Sequence, residues 1–238
     1  MNNQNRILNL PQLEVRSSIL NTTEEILMVT GGRKPNKHWL IKSIKNRRLW
    51  CIDHGVDVCR ENNLIPDLLL GDFDSAQSDS LDWAVDNAVK IERHPIDKDW
   101  TDTQLALNRA AETENLFLIV TGVFGGRFDH LYSTIFSCAN AKVKNCLADE
   151  REVVLFLKGK EQMELNFNVK PIALSLLPIT EICHGVTIDG VHWKLEAAEL
   201  RQSQANAVSN RVESNKVKIS MNEGILAVYL CFDETKLN

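Results

Sequence analysis

The sequence has no CxxC pair, no long run of basic residues, no internal repeat and no low-complexity segment. Each absence removes a class of protein. The six cysteines (Cys51, Cys59, Cys138, Cys146, Cys183 and Cys231) are scattered, which points to reduced, mostly buried thiols rather than a disulfide framework or a zinc site. Lys and Arg are dispersed and the formal net charge is −5, so nucleic acid and anionic membranes are disfavoured as partners. No apolar run approaches the ~18 residues of a membrane span. The first residues, "MNNQNRILNLPQLEVRSSIL", interrupt their apolar positions with Asn, Gln, Glu and Arg, unlike a secretion signal. The expectation is a cytoplasmic protein with no nucleic-acid or membrane partner. An acidic chain can still bind a polyphosphate if a metal ion supplies local positive charge.

What is present divides near Asp149. The first ~150 residues alternate strand-like and helix-like segments, as α/β proteins do. "EILMVTGG", "RRLWCIDHG", "PDLLLGDFDS", "VKIERHP" and "NLFLIVTGVFGG" read as strands running into turns. "KHWLIKSIKN", "SDSLDWAVDNA", "TDTQLALNRAAE" and "FDHLYSTIFSCANA" read as helices, the third opened by Thr101. After Asp149 the segments "VVLFLKG", "MELNFNV", "IALSLLP", "KVKISM" and "GILAVYLCF" are short and strand-like, and no helix of ten residues intervenes. In "KVKISM", apolar Val217, Ile219 and Met221 alternate with polar residues, the period of a half-buried strand. The expected fold is an α/β chain. A Rossmann-like domain with a mostly parallel sheet spans 1–150, and a small antiparallel β-sandwich or barrel domain spans 151–238.

Acids collect at the expected strand ends. Asp53 follows "RLWCI", Asp72 and Asp74 follow "DLLLG", the Asp97–Asp102 cluster follows "VKIERHPI", and "GVFGGRFDH" follows "LFLIVT". Open α/β sheets bind ligands outside the carboxyl ends of their strands, so neighbouring strands would bring these groups to one rim. Converging carboxylates repel unless a cation compensates. Magnesium suits such a place, because it takes oxygen ligands and bridges carboxylates to substrate phosphates. Each segment alone has a plainer reading, as an Asx turn, a helix N-cap region or a glycine turn.

The combination of "PDLLLGDFDS", "DKDWTD" and "GVFGGRFDH", in that order, resembles the thiamine pyrophosphokinase family, over roughly Ile26 to Tyr229. "SLLPI", "GVTIDGVHWKL" and "VSN" in the C-terminal half fit the same family. The resemblance implies transfer of the β,γ-diphosphate of ATP to the hydroxyl of thiamine, giving thiamine diphosphate and AMP. It implies Asp72, Asp74 and Asp102 as magnesium and phosphate acids, with Lys98 and Arg127 as basic groups near the phosphates. Asp53, Ser75, Asp99, Thr101, Asp129 and His130 fall in the matching nucleotide-side motifs, and Trp193, Ser209 and Asn210 in the thiamine-facing segment. At His130, which opens a helix, a base role and a capping role both stand open. The family implies a homodimer, each active site shared between the α/β domain of one chain and the β domain of the other. Three positions depart from the family pattern: His54 stands at a glycine, Lys194 at a proline, and Arg211 where an acid is common. Two other readings remain at this point: a magnesium-dependent pyrophosphokinase acting on another alcohol such as a pterin, and a non-catalytic thiamine or nucleotide sensor. A sensor would be expected to lose a metal acid, and none is lost.

Overall fold

A computed structural model describes residues 7–17, 20, 22–74, 76–95, 99–204 and 206–233. The chain forms two compact units, one of residues 23–149 and one combining residues 1–22 with 150–238. The N-terminal segment therefore belongs with the C-terminal half, which corrects a first domain running from residue 1. Its strands β1 (Ile7–Leu10) and β2 (Leu13–Ser17) form an antiparallel hairpin.

The α/β unit follows the alternation read from the sequence. Its order is β3 (Glu24–Val29), α1 (Lys37–Ile44), β4 (Arg48–Ile52), α2 (Gly55–Glu61), β5 (Leu68–Gly71) and α3 (Ser78–Asp86). There follow β6 (Lys90–Arg93), α4 (Asp102–Ala110), β7 (Leu116–Thr121), α5 (Phe128–Asn140) and β8 (Lys144–Ala148). The strands pair in the order β8-β7-β3-β4-β5-β6, and the registered pairs are all parallel. Central parallel strands are covered on both faces, so they read as continuous apolar runs. Every residue of Leu116–Thr121 and of Leu68–Gly71 is buried. From β3 the chain steps outward through β4, β5 and β6, then returns to place β7 on the other side of β3. The strand order thus reverses between β3 and β7, the place where doubly wound sheets open a ligand crevice.

The second unit adds β9 (Glu152–Lys158), β10 (Glu161–Phe167), β11 (Ala173–Pro178), β12 (Ile182–Asp189), β13 (Leu195–Arg201), β14 (Lys216–Met221) and β15 (Ile225–Cys231). Its strands form a six-stranded run, β1-β2-β10-β14-β12-β13, and an antiparallel run, β11-β15-β9. β9 leads directly into β10 and comes close to it and to β14. Val217, Ile219 and Met221 are buried while Lys216 and Lys218 are exposed, which satisfies the period-two pattern.

Candidate functional site

The carboxylates of Asp53, Asp72 and Asp102 come together with ligand oxygens all within 4.8 Å of one another, each residue half-buried. They arrive from the ends of β4 and β5 and from the first turn of α4. Asp102 is placed by a full capping box: the Thr101 hydroxyl accepts from Gln104 N–H at 3.2 Å, and Gln104 Oε1 accepts from Thr101 N–H at 2.9 Å. Asp53 is placed by a backbone bend with φ +44°, and its N–H donates to the Leu70 carbonyl at 3.0 Å. Gly71, at φ +143°, leaves the room that Asp53 occupies: a Cβ there would stand 1.7 Å from Asp53 Oδ1.

The expected acid set, Asp72, Asp74 and Asp102, differs from the gathered one in a single member. Phe73 is buried and sits at φ +65°. Turning the chain to bury that ring leaves Asp74 exposed beyond the trio, its N–H donating to Asp72 Oδ1 at 3.2 Å. Asp53 takes the third place. The donor set fits magnesium in kind: all three donors are hard carboxylate oxygens, gathered closely enough for one ion to reach them with small adjustments.

Beside the trio, a cavity of about 450 Å³ opens at the β3/β7 reversal, lined by Gly31, Gly32, Asp53, His54, Gly122, Arg127 and His130 among others. Gly32 N–H donates to the Gly122 carbonyl at 2.5 Å, closing the two glycine turns on each other. Arg127 forms a two-point ion pair with Asp129, at 3.1 and 2.5 Å. The hydrogen bond from Arg127 holds the exposed Asp129 carboxyl below its usual range. Of the sequence-derived nucleotide residues, Asp53, Arg127 and His130 line this cavity. The Thr101 hydroxyl is committed to the helix cap, and Asp99 is exposed in the preceding loop. Ser75 and Lys98 lie outside the described residues. Thr30, Gly31, Gly32, Thr103 and Thr134 were not singled out by sequence; "VTGG" after the first apolar strand was the available signal.

The β unit carries its own cavity, of about 390 Å³, with Trp193, Ser209 and Asn210 in its lining beside Leu176, Leu195 and Val208. Asn210 is held to β11 by paired backbone hydrogen bonds with Leu174, at 2.9 and 2.7 Å. Its side chain in turn accepts from Trp193 N–H at 3.1 Å and donates to the Trp193 carbonyl at 2.7 Å. Trp193 is 60% exposed, with the His192 ring edge-on at 4.6 Å. Two of the departing residues have local partners. Lys194 pairs with Asp189 at 2.6 Å, its hydrogen bond lowering that carboxyl's pKa. Arg211 lies 3.3 Å from Glu213 and 2.9 Å from His192 Nδ1.

Two family models match in sequence: the thiamin pyrophosphokinase catalytic domain over residues 41–148 and the thiamin pyrophosphokinase vitamin B1 binding domain over residues 162–226. The chain belongs to the thiamin pyrophosphokinase family. Thiamine pyrophosphokinase of Bacillus subtilis is 27% identical over 206 residues, covering 84% of this chain and 95% of that protein. Thiamine pyrophosphokinase 1 of Arabidopsis thaliana is 25% identical over 175 residues, covering 69% of this chain and 65% of the plant protein. The crystal structure of the Bacillus subtilis thiamine pyrophosphokinase superposes with a TM-score of 0.76 at 23% identity, over 88% of this chain and all of that one. Thiamin pyrophosphokinase of Candida albicans superposes at 0.75 with 16% identity, over 88% and 90% of the two chains. These likenesses establish the fold. The first domain model spans Asp53, Asp72 and Asp102, and the second spans Trp193, Ser209 and Asn210.

Proposed function

We propose that this chain moves the terminal diphosphate of ATP onto the hydroxyl of thiamine. The hydroxyl oxygen bonds to the β-phosphorus, the bond from that phosphorus to the α-bridging oxygen breaks, and AMP leaves. One observation carries the reading: Asp53, Asp72 and Asp102 are gathered within 4.8 Å at the strand ends, and Asp53 also lines the cavity at the sheet's reversal point. These three acids are the residues that would hold magnesium. Bound there, the ion would neutralise phosphate charge and polarise the phosphorus under attack. Arg127 and His130 supply basic groups to the nucleotide cavity, and one carboxylate of the trio takes the thiamine hydroxyl proton. In the β unit, Trp193 offers an indole face to the charged thiazolium or flat pyrimidine of thiamine, and Asn210 holds the backbone that presents it.

A homodimer with sites shared between chains, and a cytoplasmic location, belong to the same proposal. Among the described residues no helix is long and apolar enough to cross a membrane. The deciding experiment supplies protein, magnesium, ATP and thiamine and separates the nucleotides. AMP formed in step with thiamine diphosphate supports the reading. ADP as product, or turnover with a pterin alcohol in place of thiamine, overturns it. Sharing of sites is tested at thiamine well below its KM by mixing Asp72→Asn and Trp193→Ala subunits: each is defective alone there, and a mixed dimer regains up to about half the activity because one site collects both lesions. No recovery after confirmed subunit exchange places each site within one chain.

A further inference from the structure

We propose that His54 determines nucleotide specificity by hydrogen bonding a ribose hydroxyl of the nucleoside triphosphate. This rests on the diphosphoryl-transfer reading and goes beyond it, since His54 stands where the family pattern has glycine. Three observations converge on the residue.

The first is its place. His54 lies at the carboxyl end of β4 and lines the cavity at the β3/β7 reversal. In doubly wound sheets, the end of the strand that follows the first glycine turn, about 20 residues beyond the glycines, is where ribose hydroxyls are read, usually by an acid. Here the glycines are Gly31 and Gly32. The acid at the strand end, Asp53, is drawn into the trio with Asp72 and Asp102. His54 is the next polar side chain at the same strand end.

The second is how it is held. Asp57 is 2% exposed, and its Oδ2 lies 2.8 Å from His54 Nδ1, whereas the imidazole itself is 38% exposed. The approach is close without being linear, for neither Asp57 oxygen takes a well-aligned hydrogen bond. A buried carboxylate next to Nδ1 favours a proton on that nitrogen, because two facing lone pairs would repel. The ring is thereby oriented with its other edge, carrying Nε2, away from Asp57. Nε2 accepts when the ring is neutral and donates when it is charged. A hydroxyl can answer either way, so the recognition does not depend on the protonation state.

The third is the fit of the opposite wall. A Cβ on Gly31 would come within 2.9 Å of His54 Cβ, so glycine at 31 leaves the room that a side chain at position 54 needs, and the His54 ring lies in ordinary contact range of that position, at 3.7 Å.

The test compares ATP, 2′-deoxyATP and 3′-deoxyATP as substrates of the full-length protein and of His54→Ala and His54→Gln. A hydrogen bond between neutral groups is worth about 3- to 10-fold in kcat/KM. The wild type should prefer ATP by that factor over the analogue lacking the bonded hydroxyl. His54→Ala should bring the ratio to about 1, and His54→Gln, which can both donate and accept, should restore part of it. The KM for thiamine should stay unchanged throughout. Calorimetric binding of AMP and its two deoxy analogues repeats the comparison without turnover. Equal use of all three nucleotides by the wild type, or a ratio that survives in His54→Ala, overturns the proposal. Absence of AMP formation from ATP and thiamine by the wild type instead overturns the reading on which it rests.

Discussion

Gly71→Ala tests the acid trio from the backbone side without touching a carboxylate. The added Cβ would stand 1.7 Å from Asp53 Oδ1 and 2.7 Å from its Cγ. Ordinary contact begins near 3.4 Å, so the carboxylate must withdraw by about 1.7 Å, taking one corner off the trio. A misplacement of about 1 Å in a catalytic constellation costs on the order of 10²-fold in rate, and the same or more is expected here. The substitution also forces alanine to φ +143°, a strain of about 1–3 kcal/mol. Gly159→Ala separates the two effects. Gly159 has φ +63° with nothing within 4 Å of its virtual Cβ, so alanine there costs about 1–2 kcal/mol in stability and leaves turnover alone. The assay is AMP release at saturating ATP, thiamine and magnesium, with thermal denaturation in parallel. If Gly71→Ala keeps its kcat within about threefold of wild type, Asp53 has no part in the reaction and the trio is an incidental cluster.

Three further outcomes are expected. Asp72→Asn, which keeps the size of a carboxylate and removes its charge, should lose at least about 10²-fold in kcat with an unchanged circular dichroism spectrum. Trp193→Ala should raise the thiamine KM about 3- to 30-fold and leave the ATP KM alone, as measured by initial rates, with Trp193→Phe recovering part of the loss; a sharp fall in stability with the thiamine KM intact would make the residue a packing element instead. Arg33→Ala should destabilise the α/β unit by about 3 kcal/mol in denaturant titration, because it removes the 2.5 Å ion pair to Asp149, a carboxylate with 0% of its side chain exposed.

The parts of the fold that sequence made legible are those in which burial alone dictates the pattern. β5 and β7 are buried along their whole length, so "LLLG" and "LFLIVT" could hardly be anything but interior strands. Thr101 with Gln104 three residues on is a local capping signal that needs no tertiary contact. β13 is the opposite case. "LEAAELR" is built from good helix formers, yet it runs as an edge strand with only Leu200 buried, held by pairing with β12. The hairpin of β1 and β2 escaped notice because its partner, β10, is remote in sequence. In the site, the glycine and aspartate motifs announced a rim of acids. Which three would meet depended on the burial of Phe73, a packing decision made between Asp72 and Asp74 that their spacing does not encode.

The pairing of β2 with β10 also sets an order of events on the ribosome. Ser17 stands opposite Met163 in the strand register, and at about 5–20 residues per second the second of these follows the first by on the order of ten seconds. During that interval β3 to β7 of the α/β unit can pair, since their registered partners all lie within residues 24–121. The nascent hairpin meanwhile waits with one edge unpaired, a sticky end open to chaperones or to another chain. A fragment beginning at residue 151 would carry the complementary defect, with β10 lacking its neighbour, and should be recovered from cells as aggregate rather than as an independent thiamine-binding module.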